Sequence, residues 1–354
     1  MPNMKHGGNV QYEAYSNFDS LQTTFDTALQ DQLNIVLQAR SLSDQVSDFA
    51  QSVCAGLEQR PRRLDCRFLY DARGSELYEH ICSQPEYYLT RTEAGILRQF
   101  ADEICLQTGS CHLIELGSGS SVKTDYLLSA YQSHYGNICY TPIDISAAAL
   151  KLAGRDIISK RPEVQFVAIH GTYSDSFQIF RCASPALVIF LGSTLGNFHE
   201  DEEHAFWQDI SQHMEIGDFF LLGVDLVKEA GILEAAYNDA AGITAAFTGN
   251  YFARMNRELG TSLDLNHIRH VAFYNHEKSR VEIYAEFTEA QKIHIRSRHR
   301  TFTLAQGETV QLEISRKFHL PAVRENLISY GFEQVKTYTD AEKWFGLLLF
   351  RKTR

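Results

Sequence analysis

Long hydrophobic runs are missing. The longest, Ala186 to Leu191 and Phe219 to Leu222, fall far short of the about 20 apolar residues that a bilayer-spanning helix needs. The first residues, Met1-Pro2-Asn3-Met4-Lys5-His6-Gly7-Gly8, carry no apolar stretch and no cleavage pattern of an export signal. A cytoplasmic protein is expected. Basic residues are in deficit, 33 Lys and Arg against 44 Asp and Glu, for a net charge of −11. Sequence-independent nucleic-acid binding needs cations to displace counterions, and an anionic membrane repels a chain this acidic, so neither partner is expected. A small anionic ligand in a locally basic pocket stays open. The seven cysteines (54, 66, 82, 105, 111, 139 and 182) are scattered, and no Cys-x-x-Cys occurs. This suits reduced, mostly buried thiols and argues against a disulfide framework or a zinc site. His199-Glu200-Asp201-Glu202-Glu203-His204 matches no metal spacing and reads as an acidic, solvated helix start, so no metal is expected.

What is present is ordinary globular composition, 44% hydrophobic and 22% charged over 354 residues, enough for two domains. Residues 1–20 are polar and read as a flexible tail. Helical spacing follows (Leu29, Leu33, Val36, Leu37, then Val46, Phe49, Val53, Leu57) and predicts two helices over 21–57. Short apolar runs then alternate with helical patterns. Strands are expected at Cys111–Leu116, Asn137–Asp144, Val164–Ile169, Ala186–Gly192 and Phe219–Asp225, with helices near Lys123–Tyr131 and from Ala147. That rhythm predicts a parallel α/β sheet. Residues 227–317 break it, with helix over Ala230–Glu258 and strands over Val271–Ile295, and read as an inserted domain. A helix near Pro321–Tyr330 and two closely joined strands, Gln334–Tyr338 and Trp344–Phe350, end the chain. So short a link makes that pair antiparallel.

Glu115-Leu116-Gly117-Ser118-Gly119 closes the first strand and opens a helix, and Asp144 ends the second strand. Glycines there let backbone approach a ligand, and a carboxylate can accept both hydroxyls of a ribose. The third glycine of a dinucleotide fingerprint is replaced by Val122, which counts against a nicotinamide oxidoreductase. A methyltransferase using S-adenosylmethionine (SAM) fits better, having no pyrophosphate to seat. Asn197, after the fourth strand, could hold an amine and a carboxylate; a turn asparagine is the simpler reading. Glu313 and Ser315 share one face of a strand pattern and suit an imidazole, though spacing alone favours a solvated face.

Seven further stretches make the chain resemble a known family. They are Phe68–Leu77 with Pro85–Ala94; Glu115–Gly119; Phe190–Phe198; Leu222–Lys228; Ala236–Gly242; Asn256–Leu259; and Glu313–Phe318. From about Phe68 to the C-terminus the chain resembles the SAM-dependent histidine Nα-methyltransferases that make hercynine in ergothioneine biosynthesis. The resemblance implies a class I SAM-methyltransferase, Rossmann-like sheet with an antiparallel C-terminal strand pair, plus a second α+β substrate-recognition domain. It divides the chain into 93–226 with 318–354 for SAM, and 21–92 with 227–317 for substrate. It implies transfer of up to three methyl groups from SAM to the α-amine of L-histidine; no metal is needed, and a monomer is expected. By resemblance, Tyr70, Tyr87, Asn197, Tyr237, Ile283, Glu313 and Ser315 hold the amino acid, with Tyr87 and Asn197 nearest the chemistry. Gly117, Gly119, Lys123, Asp144, Thr172 and Tyr173 hold SAM. Two departures stand out. Thr172 occupies the place of an adenine-binding aspartate, so that contact is expected to weaken or be made otherwise. Ile283 stands where a methionine is usual, and a stiffer side chain reshapes the pocket. The alternatives are an Nα-methyltransferase of another amino acid, such as tryptophan, and a SAM- or amino-acid-binding paralogue without turnover.

Overall fold

Ala186-Leu187-Val188-Ile189-Phe190 has no polar residue, which suits a strand covered on both faces, and every one of these residues is buried. It lies at the centre of the computed structural model, which describes the backbone of residues 11–14, 18–39 and 42–354 and the side chains of 21–39 and 44–354. Strand β1 (Gln11–Ala14), helix α1 (Phe18–Gln30), β2 (Ile35–Gln38), α2 (Leu42–Glu58), α3 (Ala72–Cys82) and α4 (Tyr88–Thr108) come first. The alternation follows as β3 (His112–Leu116), α5 (Asp125–Tyr135), β4 (Ile138–Asp144), α6 (Ala147–Lys160), β5 (Val164–His170), β6 (Ala186–Phe190), α7 (Glu200–His213) and β7 (Phe219–Asp225). The inserted region holds α8 (Ala230–Ala236), α9 (Ile243–Leu259), β8 (Ile268–Asn275), β9 (Arg280–Phe287), β10 (Gln291–Ile295), β11 (Arg300–Leu304) and β12 (Thr309–Arg316). Helix α10 (Leu320–Ser329), β13 (Phe332–Thr339) and β14 (Phe345–Lys352) close the chain.

Nine strands form one sheet in the order β1-β2-β5-β4-β3-β6-β7-β14-β13. β1 to β7 run parallel to one another, while β14 runs antiparallel to both β7 and β13. Side-chain alternation gives each face its own core. Leu113, Tyr140, Leu187, Ile189 and Leu221 point to one face, and Ile114, Ile143, Val188, Phe190 and Leu222 to the other. The first of these cores continues into the inserted region through Phe247, Ile283 and Val310. There, β12-β9-β8 form a three-stranded antiparallel sheet and β10-β11 a hairpin.

The structure corrects the N-terminal reading. Gln32 takes a left-handed φ of 52°, and the Leu33 N–H turns back to the Ala28 carbonyl at 3.0 Å, which ends α1. Val36 and Leu37 therefore lie in β2, not in a helix. Ile35 and Leu37 cover one face of the sheet and Val36 the other, a burial pattern that only a strand can supply. Residues 11–14 and 35–38 thus lengthen the main sheet beside β5. Most of the expected tail over 1–20 lies outside the described residues; of the rest, 11–14 form β1 and 18–20 open α1. The helix expected over 230–258 is also broken. Gly242 takes φ 71°, and the Asp239 carboxylate accepts the N–H groups of Ile243 and Thr244 at 2.7 and 2.8 Å, so α9 starts afresh. Tyr237 is left at the end of α8.

Candidate active site

The loop after β3 turns on Gly117 and Gly119, with φ of 68° and 52°. A Cβ on Gly117 would stand 2.8 Å from the Tyr173 hydroxyl, so the positive φ and the close approach both require glycine. Asp144, at the carboxyl end of β4, accepts the Gly119 N–H at 2.8 Å through one oxygen and the Ser146 N–H at 2.7 Å through the other. Burial pushes its carboxyl above the ordinary value, against the pull of these backbone donors. Each oxygen still has a lone pair to offer a ribose. Ser118 Oγ is buried in the same loop without a hydrogen-bond partner among the described residues. Two bent glycines, a shared carboxylate and an unspent hydroxyl at the carboxyl edge of a parallel sheet fit the nucleoside end of SAM. Helix α3 reaches over this loop, where the Ser75 and Ser146 hydroxyls meet at 2.9 Å and Ser120 donates to Glu79 at 2.8 Å.

The second cluster sits where the inserted region meets the sheet. β12 carries Glu313 and Ser315, and an extra residue opposite the Tyr284–Ile283 step of β9 makes a bulge between Gln311 and Glu313. Bulges re-aim side chains; here Glu313 lies opposite Ile283, which is buried. Burial raises the Glu313 carboxyl to about 7, although Lys317 and a hydrogen bond from Asn197 favour its charged form. The Tyr237 hydroxyl lies 2.7 Å from Ser315 Oγ. Tyr87, before the first turn of α4, sets its ring edge-on to Tyr237 and Tyr78, with centroids 6.2 and 6.3 Å away. Tyr70 sets its ring edge-on to Tyr78 and Phe247. Burial raises the phenols of Tyr70, Tyr87 and Tyr237, so they serve as neutral hydrogen-bonding groups rather than as phenolate bases. Past the Asn197–Glu313 pair lies a cavity of ≈ 190 Å³, walled also by Cys66, Asp65 and Glu202.

A profile described as "Histidine-specific methyltransferase, SAM-dependent" matches residues 49–352. The chain belongs to that family. It is 38% identical over 299 residues to the histidine N-alpha-methyltransferase of Mycolicibacterium smegmatis, spanning 84% of this chain and 93% of that protein. It is 35% identical over 303 residues to the protein of the same name from Mycobacterium tuberculosis, spanning 85% of this chain and 94% of that protein. Ergothioneine biosynthesis protein 1 of Neurospora crassa is 29% identical over 315 residues, a match to 83% of this chain and 34% of that protein.

In this SAM-dependent methyltransferase the residues singled out from the sequence fall into two groups. Asn197 and Glu313 line the cavity, Ile283 lies opposite Glu313 on β9, Ser315 is hydrogen-bonded to Tyr237, and Tyr87 and Tyr70 join them through ring contacts with Tyr237 and Tyr78. Gly117, Gly119, Asp144 and Tyr173 gather at the glycine loop. Two others are committed to protein partners. Lys123 forms an ion pair with the fully buried Glu93, whose carboxylate also accepts the Gly192 N–H at 2.9 Å. Thr172 donates its hydroxyl to Asp175 at 2.7 Å and shares a 3.0 Å contact with Ser174. His199-to-His204 is a helix start: Glu202 accepts the His199 N–H at 2.8 Å, and Glu203 pairs with Arg316.

Sequence reasoning missed a buried polar layer beneath the substrate cluster. Lys317 reaches Asp225 at 2.8 Å, Ser315 Oγ at 2.8 Å and the Tyr237 hydroxyl at 3.0 Å. Asp225 also takes Lys228 at 2.6 Å and the Tyr88 hydroxyl at 2.7 Å. Lys317 and Asp225 both sit in motifs that carried the resemblance, and two lysines around one aspartate inside apolar runs were the available signal. Also missed was Glu115, which accepts from Thr124 at 2.6 Å and from Tyr140 and so pins the glycine loop to its own strand.

Proposed function

We propose that this protein methylates the α-amine of L-histidine with SAM as donor, up to three times, giving hercynine. The observation that carries the reading is the Glu313–Ser315 pair, a half-buried acceptor beside a buried hydroxyl on one strand face, set among three neutral tyrosines. Bound SAM supplies the electrophilic methyl group. Gly117, Gly119 and Asp144 hold its nucleoside end. Glu313 takes an imidazole N–H and Ser315 the other ring nitrogen. Asn197, Tyr87 and Tyr237 flank the amine and the carboxylate, and Ile283 closes the ring pocket.

The nucleophile is a neutral amine, so one proton leaves the nitrogen before each transfer. No phenolate is needed to take it. Burial keeps Tyr87 protonated, and as a phenol it can accept from the amine while donating onward, a relay that ends in solvent. Positioning provides the rest of the acceleration.

In this reading 93–226 with 318–354 bind SAM, and 227–317 with the aromatic segment up to residue 92 bind the amino acid. The strands at 11–14 and 35–38 belong with the sheet rather than with the substrate side. The family match, to histidine-specific methyltransferases, supports a small-molecule substrate. All seven cysteines are free, two of them buried and five half-buried, which supports a reducing, cytoplasmic setting. Mass spectrometry of products from SAM and a mixture of the twenty amino acids tests the proposal. Methylated histidine as the main product is expected; another methylated amino acid, or none, overturns it.

A further inference from the structure

A buried ammonium that hydrogen-bonds two hydroxyls at once restricts which way their protons can point. Lys317 is fully buried, and its three N–H groups have three acceptors: Asp225 at 2.8 Å, Ser315 Oγ at 2.8 Å and the Tyr237 hydroxyl at 3.0 Å. An ammonium has no lone pair, so both hydroxyl oxygens must accept from it. The two hydroxyls also share a bond of 2.7 Å, which uses one of their two protons. One O–H is left for a ligand. A phenol is the stronger acid and the better donor, so Tyr237 gives its proton to Ser315. Both Ser315 lone pairs are then filled, by Lys317 and by Tyr237, and its own O–H is the one left for a ligand.

We propose that Lys317 is a positioning residue that locks Ser315 as a donor, so that the site accepts the neutral imidazole of histidine and refuses the imidazolium. This rests on the reading of Glu313 and Ser315 as the imidazole partners. A neutral ring offers one N–H, for Glu313, and one lone pair, for Ser315. An imidazolium offers two N–H groups and would meet the Ser315 O–H donor to donor. Charge acts in the same direction. The groups around Ser315 and Lys317 are Tyr237 after α8, Asp225 on β7, and Lys228 and Tyr88 beyond Asp225. Glu313 is faced by Asn197, Tyr70, Tyr87 and Cys66. Lys317 and Lys228 both lie against Asp225, and an imidazolium would bring a third cation toward this layer.

The test uses Nα-trimethylhistidine, whose quaternary nitrogen cannot titrate, so that its ring is the ligand group that changes near neutrality. Its Kd is measured calorimetrically on the full chain from about pH 5.5 to about pH 7.5, across the usual ring pKa of about 6.5. Over that range Lys228, pulled down to about 8 by burial, stays mostly charged. The wild type is expected to bind about tenfold more weakly for each pH unit below the ring pKa. Lys317→Met should shift this acid limb to lower pH or flatten it, because Ser315 can then turn and accept. If the limb came from Glu313 instead, loss of a nearby cation would move it to higher pH, and that shift overturns the proposal. Ser315→Ala leaves the Lys317–Asp225 pair in place and should flatten the limb too; an unchanged limb there also overturns it. A flat wild-type profile, with Glu313→Gln still weakening binding severalfold, overturns the lock alone. Unchanged affinity in both Glu313→Gln and Ser315→Ala overturns the lock together with the imidazole reading.

Discussion

Glu115 in the SAM half and Glu313 in the substrate half are both carboxyls that burial raises to about 7, and their surroundings differ. Glu115 is enclosed, with Thr124 and Tyr140 donating to its two oxygens and Ser121 2.8 Å from the Tyr140 hydroxyl. Its needs are met by the protein, and it serves the shape of the glycine loop. Glu313 has Asn197 as its hydrogen-bond donor and faces a cavity. A half-buried carboxylate with few protein donors bears part of a desolvation cost, which a ligand N–H can relieve. The same residue type at the same degree of perturbation is thus enclosed by protein donors at Glu115 and, in the proposed reading, a recognition group at Glu313. The number of protein donors separates the two cases; the pKa does not.

The largest effect that would break this comparison is on turnover. Glu313→Ala should lower kcat/KM for histidine by about 1.5–3 kcal/mol, roughly ten- to a hundredfold, and move the histidine-to-tryptophan ratio toward tryptophan. Steady-state rates on both amino acids decide it, and a fixed ratio removes Glu313 from the imidazole site. Asp144→Ala should weaken SAM by about 1–3 kcal/mol, since it strips acceptors from the Gly119 and Ser146 N–H groups as well as from the ribose. Calorimetry with SAM alone measures this, and unchanged affinity would falsify the assignment.

Stability sharpens the contrast. Glu115→Gln should cost about 1–2 kcal/mol in chemical denaturation, because an amide N–H group then faces hydroxyls that were donating. Glu313→Gln in the ligand-free protein should have the opposite sign. The unfolded carboxyl ionises near its model value of 4.5 and the folded one near 7, so the folded state holds the extra proton between those values. Wild-type stability therefore falls as pH rises through that window, and above it the glutamine variant should be more stable by about 1–2 kcal/mol. Melting temperatures at about pH 5 and about pH 8 test the sign; equal shifts at both would show that the Glu313 charge is already satisfied. The smallest effect is expected at Thr172. Its hydroxyl is spent on Asp175, so Thr172→Ala should change SAM affinity by less than about 0.5 kcal/mol. A large loss would return Thr172 to the adenine site.

Much of the SAM half was legible because its signals are local. β7 spans the same residues, Phe219–Asp225, that an apolar run between turn residues delimits, and Ser146 caps α6 through the Ala149 N–H as its residue type suggests. Asp144 could be singled out because a carboxylate that ends a strand is adjacent in sequence to the edge it serves. At the N-terminus locality failed. Leu29, Leu33, Val36 and Leu37 fit a helical period, and the competing strand gained its stability from pairing with β5, more than a hundred residues away in sequence. Glu313 and Ser315 were singled out mainly through resemblance, since Glu313-Ile314-Ser315 by spacing alone reads as a solvated strand face.

The order of apolar runs and turn residues by itself determined that there is a parallel sheet with a glycine loop and a following aspartate, and an antiparallel pair at the end. Their signals lie within a few residues of each element, and here the distant pairings agree with them. Only the tertiary structure decided which polar residues became a site. Lys317, Asp225, Tyr237 and Ser315 come from three separate stretches of chain and carry no common pattern. Packing excludes water from between them, and once water is gone each donor must find an acceptor among its neighbours. That requirement makes Ser315 a donor and leaves Glu313 an acceptor in need of a ligand.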